Sequence, residues 1–185
     1  MSDNWQEKYV HPLLPLLRNT NTVPAVIFLR GISGSGKTSL SNALMKLLGS
    51  ESVVSFSADS YFTIDGIYKF DISKVSEAHQ NCVNSMNMAF QMPNIRYIIM
   101  DNTHTRLWHL SNAERVAQEH GAQIYYLDIV VPDKAHFLLC NKRQRHNVPE
   151  DVLLDQWSNW EVNPKSMCVP MFISEDEKSM LATCH

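Results

Sequence analysis

The sequence lacks several features, and each absence excludes a class of protein. Its four cysteines, Cys82, Cys140, Cys168 and Cys184, are scattered, with no CxxC pair among them. That spacing argues against a zinc site or a dithiol redox motif and suits a reducing compartment. No apolar run approaches the roughly 18 residues that a membrane-spanning helix needs, so no membrane partner is expected. Residues 1–9 are polar and mixed in charge, without the basic start and apolar middle of a signal peptide. The expected location is cytoplasmic, with the nucleus as the intracellular alternative. Positive charge is also scarce, since the net charge is −3 with the histidines neutral. A protein that coats long nucleic acid is usually basic, because phosphate neutralisation supplies much of the affinity. Any nucleic-acid contact should therefore be local, at a strand end or a small patch. Nothing repeats, and no second core is visible.

What is present suits one α/β domain. The chain has 185 residues, 44% hydrophobic and 19% charged, enough for a real core. Residues 1–22 read as a lead-in, interrupted by Pro12 and Pro15, with Leu13, Leu14, Leu16 and Leu17 packing onto the main domain. Residues 23–162 carry the domain, and 163–185 form an extension with no assigned role. Apolar runs at 25–29, 53–56, 97–100 and 124–131 read as strands. Between them lie helical patterns: one stopped by Gly49, one burying Val75, Ala78, Cys82, Met86, Ala89 and Phe90, and one opened by a Ser111–Glu114 capping box. Asp133 caps the next, and Pro149 opens a last helix with a stripe of Leu153, Trp157 and Trp160. Met86, Met88 and Met92 read as core filler. Strand–helix alternation predicts a parallel sheet flanked by helices on both faces.

The chemistry begins at Gly31-Ile32-Ser33-Gly34-Ser35-Gly36-Lys37-Thr38, which matches GxxxxGK[ST] at every fixed position. Glycines let the backbone curl until successive N–H groups face phosphate oxygens, and the following helix adds the positive end of its dipole. Gly31, Ser33, Gly34, Ser35, Gly36, Lys37, Thr38 and the adjoining Ser39 are the candidate nucleotide-binding residues. Lys37 is expected to reach the β- and γ-phosphates and Thr38 to ligate Mg²⁺, so ATP with Mg²⁺ is the expected cofactor pair. A GTPase would need an NKxD motif, yet Asn141-Lys142 continues as Arg143-Gln144. A mechanical ATPase usually has a glutamate after its Walker-B aspartate, yet Asp101 precedes Asn102. A P-loop NTPase of kinase type remains.

A kinase needs a carboxylate to take the acceptor's proton, and Asp59 ends the strand after the P-loop helix. On position alone it could equally be a turn or helix-cap aspartate. It also needs cationic charge over the phosphates, for which Lys142, Arg143 and Arg145 are candidates beside the alternative of a solvated helix end. His79, Tyr61 and Tyr68 could line an acceptor site or pack in loops and core. His79 is expected to share a helix face with Cys82 and Met86.

Leu29-Arg30-Gly31 through Thr38, Ser57-Ala58-Asp59-Ser60-Tyr61-Phe62 and Asp65-Gly66-Ile67-Tyr68-Lys69-Phe70-Asp71 resemble the polynucleotide-kinase-like P-loop proteins. Within that group they resemble the kinase domain of the NEDD-four-binding protein two family. The likeness continues through Glu77-Ala78-His79, Asp101-Asn102-Thr103-His104-Thr105 with Trp108, and Lys142 to Pro149, covering about residues 25–160. The resemblance implies that Asp59 is the general base, Arg143 the lid arginine on the transferred phosphoryl, and Asp101 an aspartate near Mg²⁺ through water. It implies transfer from ATP to a hydroxyl, preferably the 5′-OH of a nucleic acid end. The rival functions are a small-molecule kinase with a nucleoside, sugar or antibiotic acceptor, and a nucleotide-binding interaction module with little turnover. Three positions depart from the pattern. Phe62 replaces the arginine that phage-type polynucleotide kinase carries three residues after the base, Asn147 replaces a glycine, and His104 replaces an asparagine.

Overall fold

Ala25–Arg30 (β1) is buried along its whole length, and its period-two alternation feeds two cores. Ile27 and Leu29 enter one, while Val26 and Phe28 enter the other. The computed structural model describes residues 5–64, 67–144 and 148–182. Asp65, Gly66, Arg145, His146, Asn147 and Cys184 lie outside the described residues, as does the side chain of Tyr68.

The chain continues through helix α1 (Lys37–Leu48), strand β2 (Val53–Phe56) and the one-turn helix α2 (Ala58–Tyr61). A small antiparallel pair follows, β3 (Thr63–Ile64) with β4 (Ile67–Tyr68), and then α3 (Val75–Ala89), β5 (Tyr97–Asp101) and α4 (Ser111–Glu119). The last elements are β6 (Ile124–Asp128), α5 (Lys134–Arg143), α6 (Glu150–Ser158), β7 (Met167–Cys168) and α7 (Glu175–Ala182). The main sheet runs β2-β5-β1-β6-β7, and every pairing in it is parallel. Leu40 and Leu44 of α1, Phe137 of α5 and Leu153 of α6 cover one face. Cys82 and Met86 of α3, with Ala113 and Ala117 of α4, cover the other. Each fully buried leucine contributes roughly 1.5–3 kcal/mol. Parallel pairing brings the carboxyl ends of β1, β2 and β5 to one edge, where ligands of such sheets bind.

Several local expectations change. The lead-in is helical, with turns at Gln6–Val10 and His11–Leu13, and it buries Trp5, Val10, Leu13 and Leu17 while Leu16 is exposed. Trp5 donates its indole N–H to the Pro170 carbonyl and meets Phe172 edge-on, so both ends of the chain join one core. Residues past 162 contain β7, the fifth strand of the main sheet, and helix α7. Ser111 forms no capping box. Its hydroxyl bonds back to the Trp108 carbonyl, and Glu114 accepts from the Tyr126 phenol instead. Met88 and Met92 are exposed, as is His79, so only Met86 of the three methionines is core. Asp133 caps α5 through the His136 amide as expected. Helix α6 ends before Trp160, whose ring lies against the Arg30 guanidinium at 4.6 Å.

Candidate functional site

The phosphate loop joins β1 to α1, and its glycines are required for different reasons. A Cβ on Gly31 would lie 2.6 Å from the Ser35 hydroxyl, and one on Gly34 would lie 2.1 Å from the Cys140 carbonyl of α5. Gly36 has φ 104° with open space around it, so there the left-handed backbone itself selects glycine. No side chain caps α1, which leaves the first-turn amides free for an anion. Ser35 is buried, and its Oγ has no hydrogen-bond partner among the described residues. An orphaned hydroxyl, a glycine-lined cradle and an uncapped helix start all fit a phosphate chain. Ser33 and Ser39 flank this cradle, both half-buried.

Lys37 donates to the Ile32 carbonyl at 2.9 Å. Burial lowers its pKa, and the charges of Asp101 and Asp59 oppose that shift. Asp101 ends β5 and is buried. Burial raises its pKa, against the pull of the Lys37 ammonium and a hydrogen bond from Thr38. Thr38 therefore stands between the loop and Asp101. The Thr38 hydroxyl and the Asp101 carboxylate are the groups that could hold a Mg²⁺ ion here, where it would offset phosphate charge. No group of three or more His, Cys, Asp or Glu among the described residues is arranged to hold a metal. Phosphate oxygens and water would therefore supply most of the ligands, as is usual for Mg²⁺ in nucleotide sites.

Asp59 opens toward solvent on α2. Ser57 caps that helix, accepting from the Asp59 amide at 3.3 Å. Asn102 accepts from the Ala58 amide at 2.8 Å, tying the end of β5 to the start of α2. That link brings Asp59 within electrostatic reach of both Lys37 and Asp101. His79 of α3 also lies within reach of Asp59. Tyr61 instead bonds to Glu77.

Phe62 is buried with Ala58 and Ala78. The position three residues after Asp59 thus faces a small core, where an apolar ring fits and a solvated arginine does not. Phe70 packs on Phe62 at 5.1 Å yet is 57% exposed, and Trp108 is 67% exposed. His104 is buried at φ 44°, with Nδ1 donating to the Leu29 carbonyl. Burial pushes its pKa down to about 3, so it is neutral at physiological pH.

Arg143, expected over the phosphates, is engaged with the C-terminal segment. Arg143, the last residue of α5, makes a forked pair with Glu177 of α7 at 2.7 and 2.5 Å and donates to the Phe172 carbonyl. Ser174 holds the same carboxylate with its amide and hydroxyl. These bonds, Arg143's first, pull the Glu177 pKa down to about 2. Arg145, the alternative donor, lies outside the described residues, while the Gln144 side chain bonds both the amide and the carbonyl of Val148.

Sequence reasoning missed three side chains around the loop. Arg30, fully buried, bonds Asp128 at 2.7 Å and the backbone carbonyls of His104 and Glu161 just before Gly31. Gln156 accepts from the Ser33 amide at 2.9 Å. Glu177 sat in a segment with no legible pattern. A cavity of about 280 Å³ beside Leu110, Tyr126 and Lys165 borders none of the candidate residues.

The family model described as an AAA domain matches residues 26–162, from β1 to just past α6. The chain belongs to that family. The match takes in the phosphate loop, Asp59, Asp101 and Arg143. Over 101 residues the chain is 35% identical to NEDD4-binding protein 2 of Homo sapiens, which is 55% of this chain and 6% of that protein. Among solved structures, a chain of the Pnkp1/Rnl/Hen1 RNA repair complex superposes with a TM-score of 0.60 at 18% identity, over 77% of this chain and 45% of that one. A gluconokinase from Sinorhizobium meliloti 1021 gives 0.55 at 13% identity, over 88% and 94%. The Mycobacterium tuberculosis APS kinase CysC, in complex with AMPPNP and APS, gives 0.54 at 14% identity, over 88% and 97%. This AAA-domain chain therefore has the kinase-type P-loop fold. No helix among its described residues is long and apolar enough to cross a membrane.

Proposed function

We propose that the protein is an ATP-dependent kinase that moves the γ-phosphoryl group to an acceptor hydroxyl, with the 5′-OH of a nucleic acid end as the preferred acceptor. The observation that carries this reading is Asp59, a solvent-facing carboxylate linked through Asn102 to the end of β5 and within electrostatic reach of Lys37. A carboxylate there can take a proton from a hydroxyl aligned with a phosphate chain in the loop. The acceptor oxygen then bonds to the γ-phosphorus, the bond to the β,γ-bridging oxygen breaks, and ADP leaves. Asp59 afterwards releases its proton to water. Mg²⁺ bound at Thr38 would neutralise charge on the phosphate oxygens. Lys37 does the same from the loop, and Arg143 from the lid once it exchanges Glu177 for phosphate.

A nucleic acid end is favoured by the resemblance of the motif blocks to polynucleotide-kinase-like proteins and by the RNA-repair neighbour. Phe70 and Trp108 add exposed ring faces on which a base can stack. One observation favours a small-molecule acceptor instead: buried Phe62 supplies no cation for an acceptor strand's phosphate. The deciding experiment is transfer from γ-labelled ATP to 5′-OH RNA, 5′-OH DNA, nucleosides and sugars. Labelled oligonucleotide ends are expected. Label on metabolites alone would overturn the acceptor, and no acceptor-dependent loss of ATP would replace the kinase by a nucleotide-binding module.

A further inference from the structure

The Ile32–Ser33 peptide is gripped at both ends. Its carbonyl accepts from the Lys37 ammonium at 2.9 Å and from the Ser35 amide at 3.2 Å. Its N–H donates to the Gln156 carboxamide oxygen at 2.9 Å. One planar unit therefore couples Gln156, on a helix after β6, to the loop lysine. Rotation of that plane would turn the Ile32 carbonyl away from Lys37 and undo the turn to Ser35. The carboxamide is well placed to resist this, because α6 is itself fixed. Leu153 is fully buried, the Trp157 indole donates to the Val131 carbonyl at 3.0 Å, and its ring stacks on Phe137. Ser33 is half-buried, so an N–H left without a partner there is costly.

We propose that Gln156 is a positioning residue for nucleotide binding: it fixes the Ile32–Ser33 peptide and through it aims Lys37 at the phosphate chain. This rests on the nucleotide reading of the loop. Gln156 touches neither ATP nor acceptor in this role, so it acts only while Lys37 is present. A side chain that merely held α6 in place would act regardless of Lys37.

A double-mutant cycle separates the two. Mg-ATP affinity is measured by ligand-dependent melting on the full chain, wild type, Gln156→Met, Lys37→Met and the double variant, with ATP extended to millimolar so that weak binding is read. Gln156→Met keeps the length of the side chain but removes the acceptor. It is expected to weaken Mg-ATP about tenfold in the wild-type background and less than about twofold when Lys37 is already methionine. Equal losses in both backgrounds, or no loss in either, overturn the proposal. If the single variant does not fold, Gln156→Asn, which shortens the reach of the same group, takes its place in the cycle. Wild type that shows no Mg-ATP shift at all would instead overturn the nucleotide reading beneath it.

Discussion

On the β2 side of the phosphate loop, Asp59 and Asp101 are placed by the ends of paired strands and by one short link, from the Ala58 amide to Asn102. On the β6 side, Arg143 is placed by another side chain, Glu177, on a helix at the far end of the chain. In the first, Asp101 ends a paired strand and Asp59 follows another by three residues, tied at Ala58 to Asn102. The second can exchange, because a guanidinium that grips a carboxylate with two N–H groups can grip a phosphate in the same way. Under the proposed function the contrast becomes a division of labour: a donor cradle set by strand ends, and a cation, Arg143, that exchanges Glu177 for phosphate.

Mutations can break that contrast from either side. The largest effect is expected for Asp59→Asn, which keeps the shape and cannot accept a proton. Its kcat should fall about 100-fold or more, with Mg-ATP affinity by calorimetry nearly unchanged. Near-normal kcat would move the base elsewhere. Arg143→Ala should lower kcat about 100- to 1,000-fold while ATP binding changes far less. Arg143→Lys should not restore it, since an ammonium is a single point charge. A crippled Arg145→Ala beside a nearly normal Arg143→Ala would shift the lid assignment by two residues.

Glu177→Gln sharpens the comparison with a smaller effect of opposite sign. Losing one charge-assisted bond weakens the hold on Arg143 by about 1 kcal/mol, so kcat should rise about fivefold. A fall in steady-state rate would mean that Glu177 supports Arg143 in its working position. The smallest test is pH stability. His104 is neutral in the fold down to about pH 3, whereas an unfolded histidine takes its proton near pH 6.5. The unfolded state thus binds more protons between those values, and stability is lost as pH falls, by about 1.4 kcal/mol per unit for this one group. Glu177, held down to about 2, keeps its contribution until pH falls below the ordinary carboxylate range. Melting scans from pH 7 to 5 should slope less steeply for His104→Asn than for wild type, while Glu177→Gln leaves that window unchanged. Parallel slopes would contradict the assignment to His104.

The legible parts of the molecule were those where one local pattern decides the outcome. The unbroken apolar run of β1 can only be a strand covered on both faces, and the loop that follows it has fixed chemistry at fixed spacing. The strand β7 was not legible, since Met167–Cys168 is two residues long and is recruited by pairing with β6. Helix α3 buries Ala78, Cys82, Met86 and Ala89 as expected, but Val75 and Phe90 at its ends are half-buried and Met88 and Met92 are exposed, since hydrophobicity alone does not say where a helix turns outward. Ser111 does not cap because the turn Leu107–Leu110 runs straight into α4 and leaves Ser111 already helical, while Glu114 accepts from Tyr126 across the core. Gln156 and Glu177 were invisible for the same reason: each matters through a partner more than 30 residues away. Side chains that act through distant backbone leave no spacing to read.

The central claim is that the loop from Gly31 to Thr38 is where nucleotide binds. The most direct measurement is the melting temperature of wild type and Lys37→Ala with and without millimolar Mg-ATP. A ligand that binds only the folded state raises its melting point by mass action, about 2.7 kcal/mol at a hundredfold excess over Kd. Wild type should shift clearly and Lys37→Ala by a much smaller amount. Equal shifts in the two proteins would contradict the account, because the nucleotide would then bind somewhere other than this loop.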